Sequence, residues 1–296
     1  MTPDEGLLAR FEEQRPHLRA VAYRMLGSFS EADDVLQEAW IRLDRTGAAE
    51  IENLGGWLRT VVARICLNVL RSRRTRREEP LAVHMPELVV GPPAGGDPEH
   101  EALLADSVGL ALLVVLEMLS PPERLAFVLH DIFGVPFDEI AALLDRTPAA
   151  ARQLASRARR RVQDEAPVPD SALPAQREVV DAFFAAGRSG DLGRLVALLQ
   201  PGVTLRADVG AAAAGTPTMT RGADAVGRRA LFFATVDREV RPVTVNGTAG
   251  ALIVAGGRPV SIMGFTVVAG RIAAIDVLAD PARLARIDLG ALERRR

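Results

Sequence analysis

Residues 119–162 read LSPPERLAFVLHDIFGVPFDEIAALLDRTPAAARQLASRARRRV, and they contain the clearest helix signals of the chain. Ser120 can cap a helix that opens with Pro121, and Glu123 can complete a capping box with that serine. The segment from Gly134 to Pro136 then interrupts the helical pattern. The sequence therefore predicts one helix between Ser120 and this break.

Two further helices, the second and third of this stretch, follow the break within a few residues. Asp138 and Glu139 lie in the first turn of the second helix, where the helix dipole favours acids. Thr147 is a suitable N-cap for the third helix, and Pro148 suits its first position. Because so short a turn joins these two helices, the pattern indicates a helix-turn-helix motif.

The outer face of this third helix is predicted to be basic. Six arginines and no carboxylate occur between residues 146 and 161, a bias that favours contact with DNA phosphates and bases. A small helical bundle with a solvated cationic face is the alternative. The apolar spacing turns Ala151, Leu154, Ala158 and Val162 inward, and it leaves outside Arg152, Gln153, Ser156, Arg157, Arg159 and Arg160.

Length and composition limit the function classes that the chain can have. It has 296 residues, 48% of them hydrophobic, enough for two or three domains. Its net charge of −2 argues against indiscriminate coating of nucleic acid, so DNA binding must be local. The single cysteine, Cys66, excludes an internal disulfide and a multi-cysteine zinc site. The acidic N-terminus and the short apolar runs predict a cytoplasmic protein without a membrane segment.

The N-terminal part reads as three amphipathic helices. The first spans about 7–27 with a kink near Pro16, and the second begins at Ser30 as its N-cap. The third runs from about Gly56 to Arg71 and continues into further arginines. Seven arginines and no acid occur between residues 57 and 77, which predicts a second cationic surface.

Two proline-rich segments divide the chain. Residues 78–100 lack periodicity and read as a linker, after which a helix resumes over about 101–119. Residues 164–174 read as a second hinge. From residue 175 onward, helices precede strand-like runs separated by NG, GG and AG turns, which predicts an α+β domain with one curved antiparallel sheet. Its predicted helices are 176–188, one capped by Asp191, and 223–234, and its later strands are 239–245, 251–255, 260–268 and 271–278.

The order of motifs over residues 7–162 resembles that of bacterial extracytoplasmic-function (ECF) sigma factors. The resemblance rests on DDVLQEAWIRL, on GWLRTVVARICLNVLRSRRTRR, and on the helix-turn-helix that opens with LSPPERLAFVLHDIFGVPFDEIA. It implies that the N-terminal helices are sigma region two, which docks on the clamp helices of RNA polymerase and captures the −10 element. It also implies that the helix-turn-helix is region four, which reads the −35 element and sits on the polymerase flap.

The resemblance assigns roles to three groups of residues. It places polymerase binding on Asp34, Gln37 and Glu38, for which ordinary solvated side chains are the alternative. The helix that faces the −10 DNA carries Trp57, Arg59, Arg64, Asn68 and Arg71. The −35 reading surface comprises Thr147, Ala150, Arg152, Gln153, Ser156 and Arg157.

The C-terminal part resembles the SnoaL and ketosteroid-isomerase type of cone fold, through GDLGRLVALLQPGVTLRADVG and the order of its elements. Some members of that fold use a carboxylate base together with tyrosine, histidine or acid donors that stabilise an enolate. All four histidines and the only tyrosine precede residue 175, so few catalytic candidates remain here. They are Asp208, Asp224, Asp237 and Asp276.

End to end, the chain resembles the subgroup of ECF sigma factors called the SigJ type, whose fused SnoaL-like domain regulates activity in cis. The resemblance implies a regulatory contact between the linker and the C-terminal domain, and no separate anti-sigma factor. Three segments match its motifs in part: residues 84–88, 208–212 and 280–284. The contact is predicted to involve Pro86, Glu87, Asp208, Asp280, Pro281, Arg283 and Leu284.

The fold prediction is a multidomain protein with two all-α sigma domains and an α+β SnoaL-like cone domain. The boundaries are region two at 1–79, a linker at 80–100, region four at 101–165, a linker at 166–174 and the cone domain at 175–296. The leading function is a non-enzymatic sigma factor that directs core RNA polymerase to promoter DNA, with no cofactor or metal and with a possible small ligand in the cone. The alternatives are a ligand-responsive helix-turn-helix transcription factor that binds DNA without polymerase and, third, an isomerase- or cyclase-like enzyme.

Overall fold

The computed structural model describes residues 3–46, 51–76, 85–93, 109–166, 168–210, 219–234 and 238–287. The chain forms two compact units. The first comprises residues 1–80 and 115–164, and the second comprises residues 81–114 and 165–296. Among the described residues, no helix is both long and apolar enough to span a bilayer.

The first unit begins with three helices: α1 (Pro3–Leu26), α2 (Phe29–Thr46) and α3 (Leu54–Arg76). The α1 helix continues through Pro16 as one element. The predicted cap of α2 was wrong by two residues, because Ser28 rather than Ser30 accepts a bond from the Glu31 backbone N–H, at 3.4 Å. Asn53 caps α3 in the same way, since its Oδ1 accepts from Gly56 N at 3.0 Å.

The helix-turn-helix follows α4 (Leu110–Met118) and comprises α5 (Pro121–Phe127), α6 (Phe137–Leu144) and α7 (Pro148–Glu165). The capping box is formed, with Ser120 N donating to Glu123 Oε2 at 3.2 Å. One π-helical turn, Val128–Ile132, extends α5 to the break at Gly134. The predicted three-helix pattern over residues 120–162 is therefore confirmed.

The second unit contains α8 (Leu173–Ser189), α9 (Leu192–Leu198), α10 (Ala223–Ala234) and α11 (Pro281–Leu284). Its strands are β1 (Val90–Gly91), β2 (Leu199–Asp208), β3 (Met219–Arg221), β4 (Glu239–Val245), β5 (Thr248–Ala255), β6 (Arg258–Val268) and β7 (Arg271–Leu278). They form one sheet in the order β1-β4-β5-β6-β7-β2-β3.

The strands β4 to β7 form the antiparallel meander that the turn dipeptides predict. Asn246 and Ala269 adopt positive φ before Gly247 and Gly270, as two-residue hairpin turns require. The sheet as a whole is mixed, however, since β2 pairs with β7 in parallel. The chain reaches β2 from α9 and returns to β7 through the meander, and no local sequence signal specifies that pairing.

Each face of this sheet packs against its own apolar core. On one face, α8, α9 and α10 cover residues such as Ile253 and Phe265. On the other face, Met85, Leu88 and Val90 of the predicted linker pack with the first turn of α4 against Leu252 and neighbouring strand residues. The linker is therefore an integral part of the second unit between residues 85 and 91.

The predicted hinge at 164–174 is likewise fixed to the sheet where it is described. Asp170 accepts hydrogen bonds from Ala269 N at 2.9 Å and from Gly270 N at 3.0 Å, at the β6–β7 turn. Asp170 N also donates to Val267 O at 2.7 Å. A carboxylate that satisfies two turn N–H groups holds this segment in one place.

Candidate nucleic-acid interface

The first turns of α7 present polar side chains to solvent. Thr147 caps the helix, with its Oγ1 accepting from Ala150 N at 3.2 Å. Arg152, Gln153 and Arg157 are exposed, whereas Ala150 and Ser156 are half-buried. The Arg152 guanidinium lies over the Phe137 ring, 5.2 Å from its centroid, which orients it from α6.

The residues that α7 buries differ in part from the predicted ones. Ala151, Ala155 and Ala158 are fully buried, whereas Leu154 and Val162 are only half-buried. Small residues on this face let α7 approach the rest of the motif closely. The predicted outer residue Arg159 donates to Asp131, with 2.6 Å between Nε and Oδ1. Arg159 therefore has a structural partner within the motif, which separates it from the other arginines of this surface.

A second basic surface lies on α3. Arg64, Asn68 and Arg71 recur at helical spacing and are all exposed. Trp57 and Arg59 lie at the start of the same helix and are half-buried. The Nε atom of Arg59 is buried and makes no hydrogen bond with the described residues. The structure thus places Arg64, Asn68 and Arg71 on one exposed face, and it leaves Trp57 and Arg59 half-buried.

The predicted polymerase-binding residues lie together on α2. Asp34, Gln37 and Glu38 are exposed, and Glu38 forms an ion pair with Arg42. Ile41 is 41% exposed and follows Gln37 and Glu38 by one helical turn on the same face. The sequence analysis missed this residue, although an isoleucine outside the buried stripe of an amphipathic helix is a usable signal.

The helix-turn-helix packs against the N-terminal helices within the first unit. Arg124 of α5 is 2% exposed and donates through Nε to the carbonyl of Arg24 at 3.0 Å. Its Nη2 pairs with Glu117 at 2.8 Å, so the buried charge has a partner. Phe133 contacts the His17 ring edge-on, with 4.9 Å between centroids. These contacts hold the two helical parts together.

Most of the predicted regulatory residues meet on the sheet face that the linker covers, whereas Glu87 and Pro281 are exposed. Met85 N donates to Asp208 Oδ2 at 3.0 Å, and Arg283 donates to the carbonyl oxygens of Met85 and Pro86, the latter at 3.1 Å. Arg283 also forms an ion pair with Asp208. The matched positions His84, Ala211 and Ala212 lie outside the described residues.

Two further residues shape this cluster from α11. Asp280 caps that helix, accepting from Ala282 N at 2.9 Å, while Leu284 is buried in the core beside Met85 and Pro281 is exposed. Gly210 adopts φ +70°, and a Cβ there would lie 2.9 Å from the Asp280 carboxyl carbon. A larger residue at this matched loop position would strain the backbone and displace the carboxylate that caps α11.

Of the carboxylates considered for catalysis, the three that the structure describes do not line the cavity between the sheet and the helices α8 and α10. Asp276 is fully buried and paired with Arg206, 2.6 Å between Oδ1 and Nε, on the sheet face that the linker covers. Burial raises the pKa of the Asp276 carboxyl, and Arg206 opposes that shift. Asp208 belongs to the linker contact, Asp224 is exposed on α10, and Asp237 lies outside the described residues.

Comparison with known proteins identifies the family. The model of Sigma-70 region 2 matches residues 10–76, and that of Sigma-70 region 4 matches residues 109–162. The chain is 40% identical over 279 residues to ECF RNA polymerase sigma factor SigJ of Mycobacterium tuberculosis, covering 91% of this chain and 87% of that protein. It is 36% identical to probable ECF RNA polymerase sigma factor SigI of the same species, over 98% of this chain and 99% of that one. The crystal structure of M. tuberculosis SigJ aligns with a TM-score of 0.69 at 36% identity, over 95% of this chain and 99% of the other. The chain therefore belongs to the family of ECF RNA polymerase sigma factors.

Proposed function

We propose that this protein is a promoter-specificity subunit: it binds core RNA polymerase, directs it to promoter DNA and catalyses no reaction itself. The observation that carries the proposal is the division of one helical unit into an acidic surface on α2 and two basic surfaces on α3 and α7. A protein that binds DNA alone has no need of the acidic surface. The cytoplasm is the compartment in which this activity operates.

The basic surfaces suit two different tasks. The first turns of α7 carry Arg152, Gln153 and Arg157, where a recognition helix contacts base edges of the −35 element in the major groove. The α3 surface of Arg64, Asn68 and Arg71 suits contact with the phosphates and separated bases of the −10 element.

The acidic surface suits a protein partner. Gln37 and Glu38 lie one helical turn before the exposed Ile41, and Asp34 lies two turns before it, so polar and apolar area occur together on one face. A charged rim around an apolar side chain is typical of protein interfaces. We assign this surface to the clamp helices of the polymerase, and we assign α5 and α6 to the flap.

The N-terminal helices and the helix-turn-helix pack against each other through Arg124 and Phe133. We infer that activity requires these two parts to separate. The −10 and −35 elements are about 25 base pairs apart, or roughly 80 Å along B-DNA. A compact unit of about 130 residues, such as the first unit, measures roughly 40 Å across. The α3 and α7 surfaces can therefore reach both elements only after the contacts of Arg124 and Phe133 open.

The second unit is proposed to control that opening through the linker. Residues 85–91 join α3 to α4, and they are held by Asp208, Arg283 and the β1–β4 pairing. Their release frees these residues to extend, and so allows a larger distance between the two DNA-binding parts. A linker held on the sheet thus restrains region four, and its detachment permits the promoter-bound arrangement.

The polymerase assignment can be tested by binding measurements with matched charge reversals on α2. We expect Asp34→Arg to raise the Kd for core polymerase at least tenfold, because it reverses the charge of an exposed carboxylate on this surface. Glu13→Arg makes the same charge reversal at an exposed position of α1, outside the α2 surface, and it should bind like the parent. Equal Kd values for all three proteins would contradict the α2 interface.

A promoter-binding assay separates this function from a transcription factor that acts alone. Fluorescence anisotropy of a labelled promoter duplex should show specific binding only when core polymerase is present. Specific, salt-resistant binding of the protein alone, unchanged by polymerase, would favour the ligand-responsive regulator instead.

A further inference from the structure

The second unit contains a cavity of about 280 Å³ between the sheet and the helices α8 and α10. It lies on the opposite side of the sheet from the linker, since Leu205 and Ala207 face it while Arg206 and Asp208 point away. Most of its wall is apolar. Aromatic rings come from Phe183, Phe184 and Phe233.

The charged groups that line this cavity all have the same sign. They are Arg188, Arg229 and Arg238, and no carboxylate occurs among the described lining residues. Arg188 is exposed and Phe233 is 42% exposed, so both lie where the cavity meets solvent. Ser261 contributes the only hydroxyl of the described lining.

Arg229 and Arg238 have guanidinium N–H groups that make no hydrogen bond with the described residues. The Nε atom of Arg238 is buried and makes no hydrogen bond with any described residue, and its guanidinium lies 5.7 Å from the Phe233 ring centroid. Arg229 donates through Nη1 to Thr220 Oγ1 at 2.8 Å, and the structure gives it no carboxylate partner among the described residues. Burial lowers the pKa of Arg229, as expected of a guanidinium whose charge has lost water.

A buried guanidinium donor without an acceptor is costly, and an anionic acceptor removes that cost. A guanidinium fork matches the geometry of a carboxylate and binds it through two parallel hydrogen bonds. The apolar wall, in contrast, offers few partners to hydroxyl-rich or multiply charged molecules such as sugars and nucleotides. The volume is at the lower end of that of small-molecule sites.

We propose that this cavity binds a small organic monocarboxylate, with its apolar body between the three phenylalanines and its carboxylate on Arg238 and Arg229. The wall residues Ala230 and Met263 contact the body of the ligand, and Arg188 lies at the entrance. This site is separate from the polymerase and DNA surfaces, and it does not depend on them.

The test uses the full-length protein and two probes of equal chain length, octanoate and octan-1-ol. Each displaces the fluorescent dye 1-anilinonaphthalene-8-sulfonate, which is itself an apolar anion. We expect octanoate to displace the dye at a concentration at least tenfold lower than octan-1-ol, a difference of about 1.4 kcal/mol. Arg238→Gln and Arg229→Gln should each weaken octanoate at least fivefold and leave octan-1-ol unchanged.

Matched variants distinguish the cavity from other sites on the protein. Arg258→Gln removes an exposed arginine outside the cavity and should behave like the parent. Ala230→Phe fills the cavity and should weaken both probes, with the melting temperature showing that the fold is retained. Arg238→Lys, which keeps the charge but not the fork, should fall between Arg238→Gln and the parent.

Several results would overturn the proposal. They are equal affinity for octanoate and octan-1-ol, no binding of octanoate up to its solubility limit, and equal loss in Arg258→Gln and Arg238→Gln. Displacement that is unaffected by Ala230→Phe would place the dye elsewhere and would also overturn it.

Discussion

Arg283 and Asp208 form an ion pair, and both also bind the backbone of Met85. The Asp208 carboxylate accepts a hydrogen bond from Met85 N–H, and the Arg283 guanidinium donates one to the Met85 carbonyl. The backbone of the linker is thus held by two side chains that lie 75 residues apart in the chain. Because the bonds go to the backbone, they do not depend on which side chain occupies position 85. Met85 itself is fully buried in the apolar core below.

Removing the Arg283 guanidinium should release residues 85–91 from the sheet. We expect Arg283→Gln to weaken the attachment of residues 85–91 by about 1–2 kcal/mol, because two carbonyls and a buried carboxylate lose a charged donor. Amide hydrogen exchange across these residues should then be five- to thirtyfold faster. Transcription should rise, since a released linker lets the two DNA-binding parts separate.

The matched control for this variant is Arg286→Gln, which removes an exposed arginine three residues away. It should leave both amide exchange and transcription at the level of the parent. A point substitution is preferable to a truncation after Asp164, because removal of the sheet exposes Met85, Leu88, Val90 and Leu110. Faster exchange without any change in transcription would show that the linker contact is only structural.

The α7 surface can be tested by the kind of DNA contact that each arginine makes. Arg157→Ala should weaken binding of the polymerase holoenzyme by about 1–3 kcal/mol and relax the preference at one −35 position, as for loss of a base contact. Arg160→Ala, farther from the first turns, should weaken all sequences alike. Selection from a randomised −35 library measures both effects, and an unchanged preference for Arg157→Ala would remove that residue from the reading surface.

The α3 surface is tested by promoter melting. Arg64→Ala should reduce permanganate reactivity of thymines near the −10 element, because the exposed guanidinium no longer holds the phosphates of the separated strand. Arg15→Ala is the control, since Arg15 is also exposed on a helix of the first unit but pairs with Glu12. If the two variants gave the same footprint as the parent, this surface would lie elsewhere.

Breaking the buried pair of Arg206 and Asp276 should strongly destabilise the second unit. Asp276→Asn leaves the 1% exposed guanidinium without its counter-charge and should cost about 3–5 kcal/mol of unfolding free energy. The double variant Arg206→Met with Asp276→Leu should recover most of that loss, because an apolar pair needs no desolvated charge. Urea unfolding measures both, and equal stability of the single and double variants would contradict this explanation.

The parts of the fold that follow local rules could be predicted from the sequence. Ser120 with Glu123, Thr147 with Pro148, and Asp191 each mark the start of a helix, and Asn246-Gly247 marks a hairpin. Each of these signals depends only on residues within four positions of each other, so it can be recognised from the sequence without the fold. The positions of the exposed residues on α2 and α3 followed from the same periodicity.

The features that could not be predicted depend on distant partners. The segment at 85–91 reads as a linker because its apolar residues show no period, and only the sheet formed 150 residues later gives them a surface to cover. The parallel pairing of β2 with β7 and the burial of Arg124 have the same cause. Arg159 reads as one more surface cation until Asp131 is brought beside it by the turn.

The most direct test of the central claim is run-off transcription by core RNA polymerase on a library of promoter fragments, with and without this protein. We expect transcripts that start at defined positions only when the protein is present. Asp34→Arg should reduce them at least tenfold, and Glu13→Arg should keep them at the parental level. Failure of the folded protein to support initiation from any fragment, at any ratio to core polymerase, would contradict its assignment as a promoter-specificity subunit.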